Sequence, residues 1–382
     1  MMRSLREALR SPVHLRIRRI TRSITEEKKR REFFLAAHAL IGIGLILVMS
    51  VLLNSSAKSR SPELLEAAGN MEQSINIIKG YCIQHLINTD NPEDPLHTGL
   101  IGPEWSEITT TIGDPEAKRT TINPNFAALI AHFLQDTGVK KGDTIAIGSS
   151  ASFPALLIAS LSAAKALELH PIVIISLGSS SFGSSNPEFN LWDMYSLLLE
   201  HQIFETRPAA ASFGGEDDSG SEFDPAMTDR IKLSLLEAGI PLISETDLPK
   251  NRALRESFYF AGNPGRIRAF INSGGGYANL GSSSSVLNIR PGLVKKAPMP
   301  EPAKQGLIHS MLRKEIPVIH LLYIKGLAQQ YNLPWDPVSQ PPVQPWFRFE
   351  HRHNPVSLVI SIIGLLWFIL MMIRYRMLYN IR

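Results

Sequence analysis

The sequence predicts an α/β protein: a Rossmann-like, mostly parallel sheet with helices on both faces, flanked by two transmembrane helices. Three observations carry this reading. Between residues 124 and 330, short apolar strands alternate with helix-length segments, the pattern of parallel strands joined by crossover helices. Four of these strands run into Gly- and Ser-rich turns. Two uncharged apolar runs, 33–53 with 21 residues and 356–373 with 18, lie near the chain ends beside Arg clusters. At a rise of about 1.5 Å per residue, roughly 20 residues cross a ~30 Å hydrocarbon core.

Residues 1–32 hold eleven Lys/Arg against four Glu, a charge of +7. Leu5, Leu9, Val13, Leu15 and Ile20 fall at helical spacing there, so the segment reads either as an interfacial helix on anionic lipid or as a solvated basic tail. Residues 374–382 add +3, and since the whole chain carries +4, the part between the two ends carries −6. Basic groups that do not line the folded body argue against a nucleic-acid partner. Two spans put both termini on one side, and their Arg content places that side in the cytoplasm. Residues 54–354 are then extracytoplasmic, with 33–53 and 355–373 as spans of the cell membrane and 374–382 as a cytoplasmic tail. Ser55, Ser56 and Ala57 offer small residues for signal cleavage, but the basic region and apolar run are long for a signal peptide, which favours an uncleaved anchor.

After the first span, Ser61, Pro62 and Glu63 mark a helix start. The stripe Leu64, Leu65, Ala68, Met71, Ile75, Ile78, Cys82 and Leu86 predicts a helix that packs on the domain. Residues 90–123 form a long polar loop rich in Thr, Gly, Pro and charges; 54–123 as a whole packs against the α/β domain of 124–330. In that domain Asn123-Pro124 opens a helix that Gly138 stops, and 144–147 reads as a buried strand. The strand breaks at Gly148 into Ser149-Ser150-Ala151-Ser152, and Pro154 opens an apolar helix with Ser152 as its N-cap. Further strands are expected at 171–177, 209–213, 241–244, 267–271 and 316–323. Helices are expected at 190–201, 226–238, 252–261 and 306–312. Residues 331–354 are a Pro-rich connector to the second span.

In such sheets ligands bind beyond the carboxyl ends of the strands, near a topological switch point. That edge collects the turns after residues 148, 178, 214 and 272. A strand, a tight Ser/Gly turn and a helix start present free N–H groups, which suit an anion, an oxyanion or a polar ligand. The sequence Gly148-Ser149-Ser150-Ala151-Ser152 also resembles a nucleophile elbow, with Ser150 as nucleophile. A triad would need a His from among His170, His201, His309, His320, His351 and His353, and none stands in a strand-end loop beside an Asp. His320 lies inside an apolar strand and reads as a core residue. Ser273, Gly274, Gly275, Gly276 and Asn279 could cradle a phosphate or carboxylate, although no Gly-Lys-Ser/Thr follows. The dinucleotide fingerprint G-x-G-x-x-G is absent, so no cofactor is expected. Glu216-Asp217-Asp218 reads as a solvated acidic run, and the lone Cys82 excludes both an internal disulfide and a Cys-based metal site, so no metal is expected.

The segments GLIGPEWSEITTTIGDPEAKRTTINPNFAAL (99–129), GSSASFPAL (148–156), SLGSSSFGSSNPEF (176–189), ASFGGEDD (211–218) and FINSGGGYANLG (270–281) together make the chain similar to the poly-γ-glutamate system protein family, membrane proteins associated with capsule polymer biosynthesis. The resemblance covers most of 99–281 in order. It implies a membrane protein that supports synthesis, export or release of an anionic γ-linked polymer, with the polymer or its synthase and export subunits as partners beside the lipid bilayer. A homo-oligomer is compatible with it, and it carries no settled reaction. On that expectation Ser149, Ser150, Ser152 and the Gly274–Asn279 turn would bind carboxylates, and Lys118 and Arg119 would supply positive charge. Whether the chain is an enzyme stays open between this handling role, a serine-type hydrolase or transpeptidase using Ser150, and a non-catalytic assembly subunit.

Overall fold

The computed structural model describes residues 12–55, 61–261 and 267–344, together with 362–364, 366–371 and 373–374. It divides into one unit of 1–59 and 349–382 and a second of 60–348. In the first, α1 (Pro12–Ser55) runs continuously from the basic segment through the first apolar run. Several side chains of 33–53, and much of 355–373, lie outside the described residues. Among the described residues no helix is long and apolar enough to cross a membrane. Within this unit the His38 ring stacks on Trp367 at 5.3 Å.

The second unit is built on a seven-stranded sheet. In chain order its strands are β2 (Thr144–Ser150), β3 (His170–Ser176), β5 (Ala210–Ser212), β6 (Leu242–Ile243), β7 (Phe270–Ser273), β8 (Gly292–Val294) and β9 (Val318–Leu321). Their spatial order is β6-β5-β3-β2-β7-β9-β8. All neighbours pair in parallel except β8, which runs antiparallel to β9 at the edge. Two further short strands, β1 (Thr109–Thr111) and β4 (Ser179–Ser180), pair in parallel apart from the main sheet. From β2 the chain steps outward through β3, β5 and β6. It then crosses back to set β7 on the other side of β2, so the switch point lies between β2 and β7.

One face of the sheet is covered by α4 (Asn125–Thr137) and α5 (Pro154–Ala166), with α2 (Pro62–Gln84) packed over both. Lying between sheet and helices, α5 is apolar all round and almost wholly buried, as a helix in that position must be. On the opposite face, Ala146, Ile174, Phe270 and Val318 pack with Tyr259 of α8 (Leu248–Phe260) and with Leu307, Ile308 and Met311 of α10 (Leu307–Arg313). Burying each large aliphatic side chain here contributes about 1.5–3 kcal/mol. The remaining helices are α3 (Pro115–Thr121), α6 (Leu191–Glu200), α7 (Pro225–Glu237), the single turn α9 (Tyr277–Leu280) and α11 (Ile324–Tyr331).

The structure amends the sequence reading in three places. The long polar loop is not structureless, since 90–123 contains β1 and α3, and α3 is capped by Asp114 accepting from the Glu116 amide. Ser152 is not the N-cap of α5: Phe153 holds that position, and the Ser152 hydroxyl instead accepts from the Ser180 amide at 3.0 Å. The acidic run is not wholly solvated, because Asp218 is 2% exposed and pairs with the equally buried Arg255.

Candidate functional site at the switch point

The last residues of β2 and β7 meet in register, Gly148 beside Asn272 and Ser149 beside Ser273. Alternation along the strands then puts Ser150 and Asn272 on one face of the sheet end, and Ser149 and Ser273 on the other. Beyond β7, Gly274 turns the chain with φ +94°, a conformation that disfavours any side chain. A Cβ at Gly274 would lie 2.3 Å from Ser150 Oγ, and one at Gly148 would lie 2.6 Å from Asn279 Nδ2. These two glycines therefore let the β7 turn and α9 close directly over the end of β2.

The result is a cluster of polar groups with incomplete bonding. Ser149 Oγ, Ser150 Oγ, Asn272 Oδ1, Ser273 Oγ and Asn279 Oδ1 are all buried and have no hydrogen-bond partner among the described residues. Leaving such a group unsatisfied costs about 1–3 kcal/mol, and native folds hold few of them. Ser150, Asn272 and Asn279 gather on one face of the sheet end and Ser149 and Ser273 on the other, all at the edge where α/β sheets bind ligands. Asn272 is held from its other end: its Nδ2 donates to Gly274 O at 3.0 Å and contacts His320 Nδ1 at 3.1 Å. Burial pushes the His320 pKa down to about 4, so the neutral ring accepts that bond at pH 7.

Of the residues the sequence singled out, Ser149, Ser150, Ser273, Gly274 and Asn279 converge here, with Gly275 and Gly276 in the same turn. Ser152, Lys118 and Arg119 have other engagements. Lys118 is 3% exposed; its Nζ donates to Ser152 O, lies 2.7 Å from Ser180 Oγ and sits 3.8 Å from the centre of the Phe153 ring. Burial lowers the Lys118 pKa to about 7, opposed by the charge of Asp114. Arg119 is bidentate to Asp336, with Nη2–Oδ2 at 2.9 Å, and also bonds Glu93, so it ties the polar loop to the C-terminal connector. Its pKa is raised, first by the hydrogen bond to Asp336.

A second polar network, which the sequence did not reveal, adjoins this edge. Ser150, Ser176 and Ser212 stand in one row across β2, β3 and β5. Ser176 and Ser212 bond each other at 2.8 Å, Ser212 donates to Asp218 Oδ1 at 2.7 Å, and Arg255 Nη2 reaches Ser212 and Asp218 at 2.6 Å each. Asn251 donates to Asp218 Oδ2 at 2.8 Å. Ser176, Ser212, Asp218, Asn251 and Arg255 are all bonded and fix the ends of β3 and β5, whereas Ser150, at the end of the row, is left without a partner. An open cavity of about 970 Å³ lies elsewhere and is lined by Asp90, Glu93, Glu104, Glu107, Glu188 and Asp224 with Arg230. That balance of charge repels a polyanion. No group of His, Cys and carboxylates suited to a metal ion occurs among the described residues. Compared with known protein families, characterised proteins and solved structures, the chain matches none.

Proposed function

We propose that the chain is a two-span membrane protein whose extracytoplasmic α/β domain binds an anionic γ-linked polymer of the poly-γ-glutamate type and supports its synthesis, export or release. The observation that carries this reading is the set of five buried, unpartnered groups at the β2–β7 switch point. Hydroxyl groups donate to carboxylates and to amide carbonyls, and amide oxygens accept from amide N–H groups, so Ser and Asn together suit a chain that carries both. The neutral character of these groups fits recognition of one or two polymer units by hydrogen bonds rather than of bulk charge. The membrane part of the reading draws on the uncharged runs, the Arg-rich flanks and the contact of His38 with Trp367.

A polymer-producing cell that carries Asn272→Ala or Asn279→Ala in place of the native chain tests the reading. The expected result is a several-fold fall in released polymer with the protein still present in the membrane fraction. Unchanged output from both variants would sink it. Protease added to intact spheroplasts tests the topology: it should cleave within 54–354 and spare epitopes at both termini.

A further inference from the structure

Lys118 stands apart from the other cations of the domain. It is buried, and among the described residues no carboxylate is paired with its Nζ. A buried ammonium without a counter-ion is unfavourable, and such lysines persist as neutral amines where their basicity is used. The groups that face it are Ser152 and Phe153 from the turn after β2 and Ser180 from β4, all uncharged. The charge that acts on it is Asp114, at the start of its own helix.

A neutral Nζ has two hydrogens and one lone pair. The charged Nζ donates to Ser152 O and to Ser180 Oγ, 2.7 Å away; once neutral, it keeps the bond to Ser152 O and has a lone pair to accept the Ser180 hydroxyl proton. The backbone that carries the hydroxyl is held from two sides. The Ser180 amide donates to Ser152 Oγ, and the Ser181 amide donates to Thr111 O, which fixes the β1–β4 pair. Gly113 packs closely against the pair: a Cβ there would clash with Ser181 O and lie 3.0 Å from Ser180 Oγ and 3.3 Å from Lys118 Cε, so glycine is what lets the two side chains sit together. Ser180 keeps 7% of its surface. By contrast, Ser150 Oγ has no group bonded to it that could take its proton.

We propose that Ser180 and Lys118 form a serine–lysine dyad for acyl transfer, with Ser180 as nucleophile and Lys118 as general base, acting on an amide carbonyl of the bound chain. Ser180 Oγ adds to the carbonyl carbon as its proton passes to Lys118 Nζ. The C–N bond then breaks, and the amine leaves with the proton returned from Nζ. Water, deprotonated by the same Nζ, adds to the Ser180 ester and releases the acid, restoring the hydroxyl. The choice of a γ-linked amide rests on the polymer reading above, while the dyad itself does not.

The test is reaction of the full-length protein in detergent with a fluorophosphonate, followed by peptide mapping. Ser180 is the expected point of attachment, fluoride leaving as the O–P bond forms. With a base of pKa about 7, the rate should rise about tenfold from pH 6 to pH 8. Lys118→Arg, which cannot act as a base, should slow labelling by about a hundredfold or more. The wild-type pH profile stands as evidence even if that variant fails to fold. Attachment at Ser150 instead, no attachment at Ser180 between pH 6 and 9, or a flat pH profile would each overturn the dyad. Cleavage of short γ-glutamate oligomers, lost in Ser180→Ala, would establish the substrate class. Labelled Ser180 without cleavage would keep the dyad and overturn that substrate.

Discussion

Replacing Lys118 by Met changes how stability depends on pH, and the size of the change follows from burial. An unfolded lysine titrates near 10.5, whereas burial holds Lys118 near 7 in the fold. Between those values the unfolded chain binds more protons than the folded one, so stability rises with pH, by about 1.4 kcal/mol per pH unit. Below pH 7 the full penalty of burying the ammonium is present, about 5 kcal/mol, and above 10.5 it is gone. From pH 7.5 to 9.0 this one group should raise the stability of the wild-type domain by about 2 kcal/mol. Lys118→Met removes the titration and should flatten that rise by the same amount, although it leaves Ser152 O and Ser180 Oγ short of a partner at about 1–3 kcal/mol. Urea unfolding of both proteins at the two pH values, read by tryptophan fluorescence, gives the difference. Parallel pH dependences in wild type and variant would refute the claim that Lys118 is buried without a counter-ion.

Other expected outcomes are equally direct. Arg255→Ala leaves the Asp218 carboxylate buried without its cation and should destabilise the domain by about 3–5 kcal/mol, with part of the loss recovered when Asp218→Asn is added; urea midpoints measure both. Gly274→Ala forces a side chain into φ +94° and against Ser150 Oγ, so it should lower stability by about 1–3 kcal/mol and weaken ligand binding in the same titration. The Cys82 thiol, pushed up to about 11 by burial and then by Asp94, should resist iodoacetamide at pH 8 in the fold and react promptly in urea. Arg119→Ala frees Asp336 and Glu93, and limited proteolysis should then cut the connector after α11 sooner, with a stability change of about 1 kcal/mol.

The strands and their order of appearance were legible because period and punctuation agree: 144–147 alternates, Gly148 breaks it and Pro154 starts a helix. The convergence of Ser149, Ser150, Ser273, Gly274 and Asn279 was legible for the same reason, since parallel strands deliver all their carboxyl ends to one edge. Where the reading fell short, the interactions were long-range. Asp218 and Arg255 lie 37 positions apart, and an acidic residue inside a Gly/Ser run carries no local mark of a buried partner. Lys118 likewise sits in a polar stretch, and only the folding of β4 and the β2 turn around it removes it from water. The capped start Asp114-Pro115-Glu116 was a usable signal for α3, obscured by a helix of seven residues with little apolar periodicity. Ser152 matched an N-cap by type, yet the Ser180 amide claims its hydroxyl. The edge strand β8 has three residues, too few for any period to show.

The central claim, that the unpartnered groups at the end of β2 and β7 hold a γ-linked acidic chain, is tested most directly by calorimetric titration of the full-length protein with short γ-glutamate oligomers, beside its Asn272→Ala variant. Saturable binding by the wild type is expected, with a loss of about tenfold or more in affinity in the variant and an unchanged response to α-linked oligomers as the control. Equal affinity in the two proteins, or no heat from the wild type at millimolar ligand, would contradict it.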